Sequence, residues 1–77
     1  SSFEKAEWAA FVASAYQQTE YYEQAIVFYK KALLNEVDSK PKETFNQTIR
    51  LELIGLYLKS GYQYAQKDAR VTATLRY

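Results

Sequence analysis

Carboxylates and tyrosines carry whatever reactive chemistry this 77-residue chain holds. The chain has no His and no Cys. The commonest general base, the commonest imidazole metal ligand and every thiolate or disulfide are therefore excluded. The remaining acid–base candidates are Glu20, Glu23 and Glu52. Each falls on a polar helix face with Lys or Gln nearby, as a solvated carboxylate does. The sequence contains no Gly-rich phosphate loop, no nucleophilic serine signature and no metal-ligand cluster. It reads as a non-enzyme that needs no cofactor and holds no metal. Tyrosine rings can stack on unpaired bases, and there are eight of them. Tyr16, Tyr22, Tyr29, Tyr57, Tyr62 and Tyr64 lie on or beside apolar stripes, so core packing is the expectation for them. Tyr21 and Tyr77 are expected to be exposed.

The bulk numbers agree with a binding role. Hydrophobic residues make up 48% and aromatics 17% of the chain, which is too apolar for a disordered segment. One Pro and two Gly favour long helices over a sandwich or barrel. A chain of this size makes one domain and buries only about 60% of its unfolded surface. Formal charge divides unevenly. Residues 1–37 carry five acids and three bases, net −2, and residues 38–77 carry four acids and seven bases, net +3. These read as solvated helix faces. A weak anion-binding surface around Lys59, Lys67, Arg70 and Arg76 is the sharper alternative, and nucleic acid held by so few charges would dissociate with salt. No apolar run reaches the roughly 18–20 residues of a membrane span. Ser1-Ser2-Phe3-Glu4-Lys5 lacks the basic start and apolar core of a signal peptide. With no Met in the chain, the expectation is an excised domain or processed fragment, cytoplasmic in origin.

Four helical segments are expected to position these side chains. The first runs from Phe3 to Gln18. Phe3, Ala6, Ala10, Ala13 and Gln17 share one face, and Trp8, Phe11, Val12, Ala15 and Tyr16 cover the next, so the helix should be contacted on two sides. Gln17–Glu20 is a break without glycine, in which Thr19 is a candidate cap for the following helix. The second segment runs from Glu20 to Glu36, with Tyr22, Ala25, Ile26, Tyr29, Ala32 and Leu33 at a 3.6-residue period. Its acids come early and its bases late, as the helix dipole favours. Asn35–Lys42 is the main connection, where Ser39 can cap and Pro41 can occupy a first helical turn. The third segment runs from Pro41 to Ser60. Its apolar residues Leu51, Leu53, Ile54, Leu56, Tyr57 and Leu58 go almost all round, which implies deep burial. Gly55 is expected to mark a close helix approach, and Gly61 to cap the helix. The fourth runs from Tyr62 to Tyr77 and presents Tyr62, Ala65, Ala69, Thr72, Ala73 and Arg76. Thr72 and Thr74 should fray its last turn.

Copies about 40 residues apart are suggested by Ala25-x3-Tyr29-x2-Ala32-Leu33 and Ala65-x3-Ala69-x2-Thr72-Ala73. Trp8, Val12, Ala13, Tyr16, Tyr22, Ala25, Tyr29 and Ala32, in that order, resemble the tetratricopeptide repeat. Leu53, Ile54, Tyr57, Gly61, Tyr62 and Ala65 resemble it more weakly. The resemblance implies antiparallel helix pairs, stacked so that the first helix of each lines a groove for peptides or other proteins. On this chain the groove-facing positions would be Glu7, Ala10, Ser14, Gln17 and Gln18, then Thr48, Leu51, Gly55, Leu58 and Lys59. Members of that family that clamp a C-terminal carboxylate use a Lys and an Asn where Ala10 and Ser14 stand here, so that clamp is not expected. Tyr22-x2-Ala25-x3-Tyr29-x2-Ala32 also resembles the MIT domain, a three-helix bundle of about this length found on membrane-remodelling proteins. That resemblance implies amphipathic helices as ligands.

The expectation is thus an all-α fold, either two helical hairpins or a three-helix bundle. Its function would be to bind a protein segment by shape and apolar contact, with polar groups from Ser14, Gln17, Gln18 and Lys59. Because two repeats cannot cover both of their outer faces, at least one of Leu51, Leu56 and Leu58 should meet a partner, a flanking repeat or a second copy. A self-assembling subunit is the remaining alternative.

Overall fold

The computed structural model describes the backbone of residues 2–76 and the side chains of residues 2–61. The fold is all-α and has three helices, α1 (Ser2–Gln18), α2 (Tyr22–Ala32) and α3 (Lys40–Arg76). Helices α1 and α2 form an antiparallel hairpin, and the first part of α3 packs mainly on α2.

Small side chains make the hairpin close. Ala13, Ala25 and Ala32 are fully buried and Ala6 nearly so. Ile26 and Tyr29 from α2 and Ile49, Leu53 and Leu56 from α3 complete the core, with Tyr16, Phe28 and Phe45 packed at its edge. Among the described residues Leu56 is the largest side chain that is wholly enclosed. Ring contacts tie the helix ends together. Phe3 of α1 meets Phe45 of α3 edge-on at 5.3 Å, and Tyr16 of α1 stacks with Phe28 of α2 at 5.6 Å. Along the α2–α3 seam, Lys30 lies over the Tyr57 ring at 5.6 Å and Lys59 over the Tyr22 ring at 5.9 Å.

The turn between α1 and α2 is made without glycine by placing Glu20 in the left-handed region, at φ 67°. Thr19 does not cap α2. Its hydroxyl donates back to the carbonyls of Ala15 and Tyr16, both at 3.1 Å, and so satisfies the end of α1. Tyr21 occupies the N-cap of α2 and supplies no side-chain hydrogen bond. Helix α2 is shorter than expected because Leu33 turns extended, with ψ 129°. Glu23 near its start and Lys30 and Lys31 near its end follow the dipole as expected.

The connection from α2 to α3 is latched by a residue that hydrophobic periodicity passes over. Asn46 is buried on α3. Its Oδ1 accepts the Leu34 N–H at 2.9 Å, and its Nδ2 donates to the Leu34 carbonyl at 3.0 Å. One side-chain amide thereby replaces a backbone pairing partner and fixes where the chain reverses. Pro41 stands in the first turn of α3, as expected. Asp38, just before the helix, pairs with Lys42 at 2.9 Å.

Four expectations are corrected. There are three helices, because α3 runs through Gly61 without a break, and Gly61 takes no positive φ. Gly55 does not mark a close approach, since a Cβ there would meet nothing within 4 Å. The apolar second half of the third segment is not buried all round. Leu53 and Leu56 are enclosed, but Leu51, Ile54, Tyr57 and Leu58 are exposed, because α2 covers only one face of α3. Helix α3 continues through Thr72 and Thr74 to Arg76, where fraying was expected; the side-chain face from Tyr62 to Arg76 and the surroundings of Lys67, Arg70 and Tyr77 lie outside the described residues.

Candidate binding groove

Helices α1 and α3 touch only lightly, and a groove of about 570 Å³ opens between them. Helical spacing explains its lining. Ala10, Ser14, Gln17 and Gln18 recur at three- and four-residue steps and so share one face of α1. Thr48, Glu52 and Lys59 share a face of α3 for the same reason. These residues line the groove together with Tyr29, Phe45 and Ile49.

A polar chain joins all three helices here. The Tyr29 hydroxyl of α2 donates to Gln17 Oε1 at 2.9 Å, and Gln17 Nε2 donates to Glu52 Oε2 of α3 at 3.1 Å. Tyr29 is buried. Burial pushes its phenol above the ordinary tyrosine value, the negative charge of Glu52 pushes it further, and a hydrogen bond with the Ser14 side chain opposes them. The phenol therefore stays protonated and acts as a fixed donor, which holds the Gln17 amide in one orientation. Thr48 turns inward on its own helix, with its hydroxyl donating to the Thr44 carbonyl at 3.0 Å.

The chemistry of this lining is that of recognition. Amide, hydroxyl, carboxylate and ammonium groups flank an apolar floor of Ala10, Phe45 and Ile49. Such a set can pair with the N–H and C=O groups of a second backbone while small side chains settle on the floor. Among the described residues no cluster of His, Cys, Asp or Glu has the makings of a metal site. Among them, too, no helix is long and apolar enough to cross a membrane.

The groove gathers Ala10, Ser14, Gln17, Gln18, Thr48 and Lys59 from two helices distant in sequence. It does not gather Glu7, Leu51 or Leu58. Glu7 lines a separate outer surface with Glu4, Trp8 and Phe11. Leu51 and Leu58 face away from the hairpin and are about 70% exposed, at 69% and 71%. Gly55, half-buried, lies beside them on α3. Sequence reasoning missed Tyr29 and Glu52. Glu52 was legible, because it lies four residues after Thr48 and seven before Lys59, on the same helical face. Tyr29 carried a weaker signal, namely that a buried phenol needs a hydrogen-bond partner.

No protein family matches this chain, and neither a curated protein nor a solved structure is similar enough to it to count as a match.

Proposed function

We propose that this chain is a non-catalytic protein-interaction module whose α1–α3 groove receives an extended segment of another protein. The observation that carries this reading is the convergence of Ser14, Gln17, Gln18, Thr48, Glu52 and Lys59 on one open groove. Beneath them the Tyr29–Gln17–Glu52 chain sets the amide and carboxylate in place before any ligand arrives. A pre-set polar lining reduces the ordering cost of binding. The small floor residue Ala10 leaves room for a backbone to approach. Both carboxylate and ammonium are present, so the segment that fits best is polar and of mixed charge.

A second reading has its own support. Because α3 passes unbroken through Gly61, the molecule has the helix number of the MIT-like bundle and not that of two stacked hairpins. On that reading the ligand is an amphipathic helix of a membrane-remodelling protein. Selection from a displayed peptide library, followed by amide-shift mapping with the selected peptides, tests both. Extended peptides that perturb Ser14, Gln17, Thr48 and Lys59, and lose affinity with Gln17→Ala, are the expected result. Helical peptides perturbing the α2–α3 seam at Tyr22 and Tyr57 would favour the second reading. Perturbations confined to other surfaces would overturn both.

A further inference from the structure

Outside the groove, two apolar faces stay uncovered. On α1, Trp8 and Phe11 are each 68% exposed and meet edge-to-face at 5.8 Å. They line a shallow surface with Glu4 and Glu7. On α3, Leu51, Ile54 and Leu58 are exposed at spacings of three and four residues. They form one stripe about 10 Å long, at 1.5 Å of rise per residue. Arg50 is exposed beside Ile54 on that side of the helix. Large exposed aromatics are what interfaces are enriched in, and uncovered apolar patches mark association sites.

We infer that these two faces are complementary halves of one self-association contact, in which the Trp8–Phe11 face of one copy receives the Leu51–Ile54–Leu58 stripe of a second copy. Charge selects this occupant. The aromatic face is lined by Glu4 and Glu7, whereas the aliphatic stripe has the exposed Arg50 beside it. Two copies of the aromatic face would set acid against acid, and two copies of the stripe would set base against base. Joining unlike faces places Glu7 against Arg50 at the edge of an apolar centre. Exchanged reciprocally by two copies about a two-fold axis, the contact closes as an isologous dimer; made once, head to tail, it is heterologous and leads to rings or open chains. None of Trp8, Phe11, Leu51, Ile54 and Leu58 lines the α1–α3 groove.

Sedimentation velocity of the 77-residue chain from micromolar to millimolar concentration tests this. Reversible association that weakens with salt is expected. The double variants W8S/F11S and L51Q/L58Q should each weaken it at least about tenfold, about 1.4 kcal/mol. All four positions are exposed, and far-UV circular dichroism checks that both variants fold. The two variants mixed should associate more strongly than either alone, because the mixture restores one intact pair of unlike faces. Glu7→Lys and Arg50→Glu should each weaken association, and together they should restore it. A wild type that stays monomeric at millimolar concentration would overturn the inference. So would a W8S/F11S chain that associates like wild type, a mixture no stronger than its parts, or a charge swap without recovery.

Discussion

Replacing Asn46 should unlatch the α2–α3 connection at a cost that the hydrogen bonds allow one to work out. Asn46→Ala removes an acceptor 2.9 Å from the Leu34 N–H and a donor 3.0 Å from the Leu34 carbonyl. Each such bond contributes about 1 kcal/mol net, and a backbone group left unpaired out of water costs about 1–3 kcal/mol. Leu34 is half-buried, so water can reach it in part, and the lower end of that range applies. The expected loss is about 2–3 kcal/mol, a large share of the stability of a small domain. Urea unfolding followed by circular dichroism measures it. Asn46→Asp separates the two bonds. At pH 7 the carboxylate still accepts from Leu34 N–H but faces the Leu34 carbonyl with negative charge and no proton to donate. Burial and that repulsion raise the carboxyl pKa in the folded state above its unfolded value of about 3.9. The folded state then holds its proton more tightly, so the deficit of Asn46→Asp relative to wild type should shrink as pH falls toward 4. An Asn46→Ala protein within about 0.5 kcal/mol of wild type would refute the latch. So would an Asn46→Asp deficit that ignores pH.

Four further outcomes are expected. Leu56→Ala, at a large side chain that is wholly enclosed, should destabilise by about 2–5 kcal/mol in the same assay. Because the Tyr29 phenol is raised, its contribution is complete below the unfolded tyrosine value of about 10 and is lost as pH rises through and above it. Melting temperatures at rising alkaline pH should fall more steeply for wild type than for Tyr29→Phe. Gly55→Ala should stabilise by up to about 1 kcal/mol, since the added methyl meets nothing and the backbone is helical; a loss of stability would show that the helix needs the gap. Glu20→Gly should also stabilise, by about 1 kcal/mol, because only a left-handed residue is being replaced there.

How much of this was legible depended on what each residue's neighbours contribute. The start of α1 and the buried stripe of α2 followed from spacing alone, because alanine and aromatic periodicity is a local property. Pro41 marked the start of α3 for the same reason. Gly61 misled because a glycine signals only permission to leave a helix. Without a left-handed conformation to adopt, it simply continues one. From sequence, Trp8 falls on a covered face and Leu51 and Leu58 on the groove, yet exposure is decided by where the other helices lie, and α2 covers a single face of α3. Asn46 was silent because its role depends on Leu34, a residue in the connection that no periodic pattern includes. Half of the groove was readable as two helical faces. The Tyr29–Gln17–Glu52 chain was not, since it needs three helices in register at once.

The buried alanines of the hairpin reach further than packing. Ala13, Ala25 and Ala32 let α1 and α2 lie close enough for the Tyr29 hydroxyl of α2 to reach Gln17 of α1. The position of Gln17 in the groove is thereby geared to the thickness of the core behind it. A single methyl added at Ala13 would widen the hairpin and draw Gln17 off its anchor, so the groove lining would change through a residue that does not line it.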